Sequence, residues 1–206
     1  MLHLYHCTNA RSFRVLWLLE ELGLPYELHV MEFPPRQHAP DYLAINPQGT
    51  VPYLVDGGTG LSESIAILQY LDSVHGQQRF SFVPGDKDYA AWLNWLLYGE
   101  ASLMPPLAVI LRYRLFTPPE GRNEAVAAAY EAILRERLGS LERALADAEF
   151  LCPTHFSSAD ISVGYALLLI RAIGLGALLG EATSRYWQRL ESRPAFRAAL
   201  ARQTPR

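Results

Sequence analysis

The sequence predicts a small α/β domain joined to a larger all-helical one. Two observations carry this reading. Residues 1–78 alternate short strand patterns with helical ones, and beyond a Pro-Gly-Asp linker the strand signals stop. Leu2–His6 alternates apolar and polar residues, as a half-buried strand does. Arg11–Leu22 places Val15, Leu16, Leu18, Leu19 and Leu22 at helical spacing, and Gly23 ends the run. Tyr26–Val30 reads as a second strand, and Asp41–Ile45 as a short helical turn before the Asn46-Pro47 break. Tyr53–Val55 and Leu61 flank Asp56-Gly57-Gly58, a hairpin signal. Ser64–Ser73 is helical, with Ile65, Leu68 and Leu71 on one face. The order is β-α-β-α-β-β-α, a small mixed sheet covered by helices.

Residues 79–86 form the linker, and residues 87–206 read as helices. Lys87–Leu115 is one long helix in which Pro105-Pro106 should produce a kink or break, because proline lacks the N–H that continues the ladder. Pro118-Pro119 separates it from an Ala- and Leu-rich helix over Glu124–Ala148. Ser157–Ile173 opens on Ser157-Ser158-Ala159-Asp160, a capping box with Asp in place of the usual Glu. Asp160 is therefore read as a folding cap. Ser184–Glu191 and Pro194–Ala201 look like short terminal helices.

Composition narrows the function classes. Half of the 206 residues are hydrophobic, enough for a sizeable core. No run of about 18 apolar residues lacks charge, so no membrane partner is expected. The N-terminus has no basic n-region or cleavage pattern. The two cysteines, Cys7 and Cys152, are far apart. They suit a reducing cytoplasm and give no metal spacing, so no metal is expected. The net charge of −3 argues against nucleic acid as the partner. That charge is uneven, with three basic and eight acidic residues in 1–78 and fifteen basic and thirteen acidic in 79–206.

The most informative stretch is Asn46-Pro47-Gln48-Gly49-Thr50-Val51-Pro52, followed by Glu63-Ser64. Gly49 permits a tight turn, and Pro52 precedes the strand Tyr53–Val55. A proline at such a place often takes a cis bond. Unpaired main-chain groups at Val51 would let an extended peptide join as an extra strand. Glu63-Ser64 starts the next helix, where a carboxylate and a hydroxyl beside free N–H groups suit an amino-acid-like ligand.

These features resemble the cytosolic glutathione transferase family over the whole chain. The resemblance rests on Arg14-Val15-Leu16-Trp17-Leu18-Leu19-Glu20-Glu21-Leu22-Gly23, Asn46-Pro47-x-Gly49-x-Val51-Pro52, Glu63-Ser64 and Phe156-Ser157-x-Ala159-Asp160-Ile161. It implies a thioredoxin-like N-terminal domain that binds glutathione as co-substrate, an all-α C-terminal domain that shapes an electrophile pocket, and a cytoplasmic homodimer active in detoxification. By resemblance, Val51 pairs with the cysteinyl part of glutathione, with Pro52 cis. Glu63 and Ser64 hold the γ-glutamyl end, Thr50 adds a side-chain contact, and Gln37 and His38 lie where the family places a polar group for the glycyl carboxylate.

The implied reaction needs a thiolate. A free thiol has a pKa of about 8.5, and lowering it by two units requires roughly 2.7 kcal/mol of preference for the anion. A donor to sulfur, assisted by a helix N-terminus, approaches that figure. It should lie between strand one and helix one, where the candidates are Asn9, Ser12 and Thr8, with Tyr5 and Cys7 behind them and Arg11 as a source of positive potential. Alignment on Arg14-Val15-Leu16 puts Asn9 where related classes carry a catalytic serine, cysteine or threonine. Asn9 is taken as the donor, since an amide donates to sulfur although it is neither base nor nucleophile; capping of helix one is its other role. Ser12 is second and Thr8 third. Cys7 reads as a buried structural thiol. The electrophile pocket is expected along helix four, at Tyr98, Ser102, Leu103, Met104 and Tyr113. The alternatives to transfer onto a small hydrophobic electrophile are a glutathione-dependent disulfide or peroxide reductase and a non-catalytic glutathione-binding protein of the same fold.

Overall fold

The computed structural model describes residues 1–203. The chain divides into two compact units, Met1–Phe82 with the segment from Glu191 onward, and Val83–Leu190. Among the described residues no helix is long and apolar enough to cross a membrane.

The first unit is a four-stranded mixed sheet with helices, a thioredoxin-like domain. Its elements are β1 (Leu2–Cys7), α1 (Ser12–Leu22), β2 (Tyr26–Met31), α2 (Pro35–His38), a 3-10 turn (Pro40–Ala44), β3 (Tyr53–Asp56), β4 (Thr59–Leu61) and α3 (Ser64–Val74). The strand order is β2-β1-β3-β4. β1 runs parallel to β2, with Leu2 opposite Tyr26, as the helical crossover α1 requires. β1 runs antiparallel to β3, and their ladder ends at the Tyr5–Tyr53 pair. Leu2 and Leu4 are buried while His3 and Tyr5 stay half-exposed, which is the strand alternation of period two. The expected hairpin forms between β3 and β4, with Gly57 at φ +57°.

α1 is buried on every side from Ser12 to Leu19. One cover is α9 (Pro194–Arg202), whose Phe196 ring meets Phe13 and Trp17 edge-on at centroid distances of 5.4 and 4.9 Å. Arg193 binds Glu21 through both carboxylate oxygens, at 2.6 and 2.8 Å. The terminal helix, expected with residues 87–206, belongs instead to the first unit, where its Phe196 covers α1. At the other end of α1, Gly23 at φ +67° lets its own N–H reach Glu20 and lets Leu24 N–H reach Leu19. The segment after α3 is held rather than slack: the Asp72 carboxylate accepts from Phe80 N–H at 3.1 Å and from the Ser81 hydroxyl at 2.6 Å.

The second unit is helical: α4 (Tyr89–Tyr98), α5 (Met104–Leu111), α6 (Glu124–Ala144), α7 (Ser158–Ala172) and most of α8 (Glu181–Ser192). Pro105-Pro106 does not break the run from residue 89 to 116. A π-helical segment, Gly99–Leu103, links α4 to α5, and a second, Arg112–Phe116, follows α5. A wider turn ahead of the two prolines absorbs their missing N–H groups and ring bulk without ending the helix. α7 crosses α4 closely, with the Ser162 hydroxyl donating to Leu96 C=O at 2.7 Å and no room at Gly99 for a Cβ, which would collide with Ser162. Trp92 is packing, as its ring N–H donates to Ser158 Oγ at 2.9 Å.

The capping box of α7 is present. Asp160 also accepts from Leu151 N–H at 3.0 Å and from the Tyr186 hydroxyl at 2.8 Å, all of them buried. α6 ends at Ala144, four residues short of the expected Ala148, and α8 starts at Glu181, three residues ahead of the expected Ser184. One residue explains the early start. The Glu142 carboxylate accepts from the N–H groups of Ala182 and Thr183 at 2.7 and 2.9 Å and from the Thr183 hydroxyl at 2.6 Å. It supplies from a distance the cap that the local sequence lacks.

Candidate functional site

The sheet register gathers the predicted site at one end of the first unit. Tyr5 near the end of β1 pairs with Tyr53 at the start of β3, and Leu54 pairs with Leu61 at the end of β4. The Thr8–Asn9 turn, Val51–Pro52 and the opening of α3 therefore lie beyond the same edge of the sheet.

The 46–52 loop is built by its own sequence. Asn46 is buried; its Nδ2 donates to Thr50 C=O at 2.9 Å, and its Oδ1 accepts from Gln48 N–H at 3.2 Å. Tyr42 adds a hydroxyl hydrogen bond to the same Thr50 carbonyl at 2.7 Å. Gly49 turns at φ +60°, and a Cβ there would stand 2.9 Å from both Arg36 Cβ and Leu43 Cδ2. The loop delivers Val51 beyond the end of the β1–β3 ladder, followed by a cis bond to Pro52. Phe33–Pro34 is also cis. The Thr50 side chain is exposed.

Glu63 is exposed and holds the N-cap position of α3 with no side-chain capping bond. Ser64 is buried, and its hydroxyl accepts from Arg14 Nη1 at 3.1 Å. Arg14 itself is fully buried in α1. This pair ties the first turn of α1 to the first turn of α3 and puts a guanidinium beneath the serine. Gln37 and His38 are exposed on α2, with His38 Nδ1 3.7 Å from Glu32 Oε2.

The three donor candidates separate by burial. Ser12 is fully buried, and its hydroxyl accepts from Cys7 N–H at 3.3 Å. Thr8 and Asn9 are exposed and both engage Gln203. The Thr8 hydroxyl donates to Gln203 C=O at 2.9 Å. Asn9 N–H donates to Gln203 Oε1 at 3.1 Å, and Gln203 Nε2 donates to Asn9 Oδ1 at 3.0 Å. Asn9 takes φ +57°, a left-handed conformation that asparagine tolerates. It does not cap α1. Arg11 occupies the N-cap position, and the first turn closes through Phe13 N–H to Ala10 and Arg14 N–H to Arg11. Cys7 is buried, and burial pushes its thiol up to about 11. Burial likewise raises Cys152 to about 12. Both are poor thiolates at neutral pH.

The expected electrophile residues lie along the run from α4 to the second π segment. The Tyr98 hydroxyl donates to Arg137 C=O on α6 at 3.0 Å. Ser102 and Tyr113 are half-buried, while Leu103 and Met104 are buried.

Sequence reasoning missed two members of the site. Arg14 stands inside the apolar run Phe13–Leu19, all of it buried, so its guanidinium is carried into the interior with its neighbours. Gln203 left no local signal, because its partners are 194 and 195 residues away.

Comparison with known proteins bears directly on this arrangement. A family model described as glutathione S-transferase, N-terminal domain, matches residues 10–74. Glutathione S-transferase GstB of Escherichia coli strain K12 is 32% identical over 197 residues, covering 94% of this chain and 93% of that one. The chain belongs to the glutathione S-transferase family. Within that family, glutathione S-transferase 3 of Schizosaccharomyces pombe is 40% identical over 108 residues, 51% of this chain and 43% of the yeast protein. Glutathione transferase URE2P6 of Phanerochaete chrysosporium, solved in complex with oxidized glutathione, superposes with a TM-score of 0.81 at 28% identity, covering 98% of this chain and 96% of that one.

Proposed function

We propose that this glutathione S-transferase family member binds glutathione across Val51, Glu63 and Ser64 and presents it as a thiolate to a small hydrophobic electrophile. One observation carries the reading: the buried Arg14 guanidinium holds Ser64 at the same sheet edge where Val51 stands outside the ladder. The cysteinyl main chain pairs with Val51 ahead of Pro52, as an added strand would. Ser64 and the α3 N-terminus take the γ-glutamyl carboxylate, and Glu63 takes the ammonium beside it. Thr50 contributes its exposed hydroxyl. Gln37 and His38 face the glycyl carboxylate.

The sulfur then lies by the turn that opens α1. Asn9 is the donor of choice over Ser12, which is sealed inside, and Thr8, whose hydroxyl is spent on Gln203. Gln203 clamps Asn9 through its main-chain N–H and its Oδ1, fixing the plane of the carboxamide. A preset donor lowers the thiol pKa without reorganisation when charge develops. Transfer then joins the sulfur to an apolar electrophile, the sulfur lone pair forming the new bond as the leaving group departs; Tyr98, Ser102, Met104 and Tyr113 are the helical residues proposed to select that electrophile. A cytoplasmic homodimer acting in detoxification completes the proposal.

The test is a spectral titration of bound glutathione. The bound thiol should titrate about two units below its free value, and Asn9→Ala should raise it by about one unit, the equivalent of roughly 1.4 kcal/mol. Ser12→Ala should leave it in place. A wild-type thiol that titrates at the free value sinks the thiolate reading. An unmoved value in Asn9→Ala sinks the assignment of Asn9 alone.

A glutathione-dependent reductase is the second reading, favoured by the neutral carboxamide of Asn9, which binds sulfur without acting as a base. Neither cysteine of the chain would carry it, given their raised thiols. Turnover on a chloronitroaromatic against turnover on a small mixed disulfide decides between them.

A further inference from the structure

The sheet face opposite Leu2 and Leu4 carries a group of side chains that the glutathione reading does not use. We propose that His3, Glu27 and His29 form a zinc-binding site that staples β1 to β2. The strand register places His3 directly opposite Glu27 and Tyr5 opposite His29, so all three side chains project from one face of two paired strands. Their donor atoms converge within 4.8 Å of one another. His3 Nδ1 lies 3.3 Å from His29 Nε2 and 3.3 Å from Glu27 Oε2, and His29 Nε2 lies 3.6 Å from Glu27 Oε1.

These spacings bear on two accounts of the cluster. A charge-assisted hydrogen bond from an imidazole to a carboxylate spans about 2.7–2.9 Å, shorter than either Glu27 contact. Ligands about 2.1 Å from a tetrahedral zinc stand about 3.4 Å from each other, since a tetrahedron's edge is about 1.63 times its centre-to-vertex distance. The 3.3 Å between His3 Nδ1 and His29 Nε2 matches the second figure, and Glu27 faces the two imidazoles through different carboxylate oxygens, one on each side of the position the ion would take. The donor set agrees: two imidazoles and one carboxylate suit zinc, with water in a fourth position. The side chains are 31–58% exposed, which leaves the ion a path in. The scaffold is rigid, because the ligands sit on strands and the Tyr5 ring stacks on His29 at 4.5 Å with 13° between planes. A bound ion would tie residue 3 to residues 27 and 29 and stabilise the folded chain by mass action.

The proposal does not depend on glutathione binding. Its test is calorimetric titration of zinc chloride into chelator-treated, tag-free protein at pH 7.5 without glutathione, whose thiol is itself a ligand. The wild type should bind one zinc per chain with a Kd below about 50 μM and melt several degrees higher at saturation. Glu27→Gln, His3→Asn and His29→Asn should each weaken binding at least tenfold and leave the glutathione titration unchanged. Glu27→Gln keeps the side-chain shape at an exposed position, so it stays informative if loss of the Tyr5–His29 stack impairs folding. Wild-type binding weaker than 50 μM, or variants that bind zinc as the wild type does, would overturn the site.

Discussion

The Arg14–Ser64 hydrogen bond is the contact on which the candidate site depends most closely. Arg14 is fully buried, so removing an acceptor leaves a charged donor short of one partner in a place water does not reach. Ser64→Ala should therefore lower stability by about 1–3 kcal/mol in urea titration, and weaken glutathione binding through the same loss. His6 gives a second residue-scale prediction. It is fully buried at the end of β1, and neither ring nitrogen makes a hydrogen bond of good geometry among the described residues. Burial lowers its pKa to about 4, with the nearby Gln203 side chain and Ser12 main chain offsetting part of the shift. The unfolded chain binds this proton from about pH 6.5 downward while the folded chain does not until about pH 4. Stability is thus full above pH 6.5 and falls with acid through that window, by about 3 kcal/mol in all. Urea titrations at pH 7 and pH 5 should show the loss in the wild type and a flatter response in His6→Leu. An equal acid loss in both would assign it to other groups. The sequence marks Cys7, Asn9, Ser12 and Ser64 by motif position. It does not mark which hydroxyl is sealed inside, because burial of Ser12 depends on packing around the first turn of α1 rather than on its neighbours in the chain.

At the scale of elements, end-capping accounts for several of the structural particulars. Besides the Ser157 hydroxyl at 3.2 Å, Asp160 serves three further donors: Ser157 N–H, Leu151 N–H and the Tyr186 hydroxyl. Asp160→Ala strands all three in the interior and should cost about 3 kcal/mol or more, read as a fall in melting temperature. A loss below about 1 kcal/mol would mean that water reaches these groups. The Ser157–Asp160 box was legible because its partners are three residues apart. The start of α8 was not, because its cap, Glu142, comes from about forty residues upstream. The same contrast holds for the long helix over residues 89–116. Pro105-Pro106 correctly signalled a local disturbance, but whether a helix breaks or widens depends on the neighbours it must keep. Here Gly99 against Ser162 holds the crossing with α7, and the π segment takes up the distortion. Glu142→Gln should trim the first turn of α8 and lower stability by about 1 kcal/mol, whereas Arg143→Gln, on the exposed side of α6, should change it by less than about 0.5 kcal/mol.

For the whole molecule, the family assignment and the site geometry meet in the proposal that glutathione binds where the ends of β1 and β4 meet the start of β3. The order of elements was legible because hydrophobic periodicity and turn residues are local. The placement of α9 against α1 was not, since Phe196 meets Phe13 and Trp17 across most of the chain. Assembly follows from the proposed function, and sedimentation equilibrium at micromolar protein should return twice the 23.1 kDa chain mass. The most direct measurement is isothermal calorimetry with reduced glutathione, comparing the wild type with Ser64→Ala. The account predicts saturable binding at one site per chain in the wild type and affinity reduced at least fivefold in the variant. Absence of saturable heat in the wild type at millimolar glutathione would contradict it.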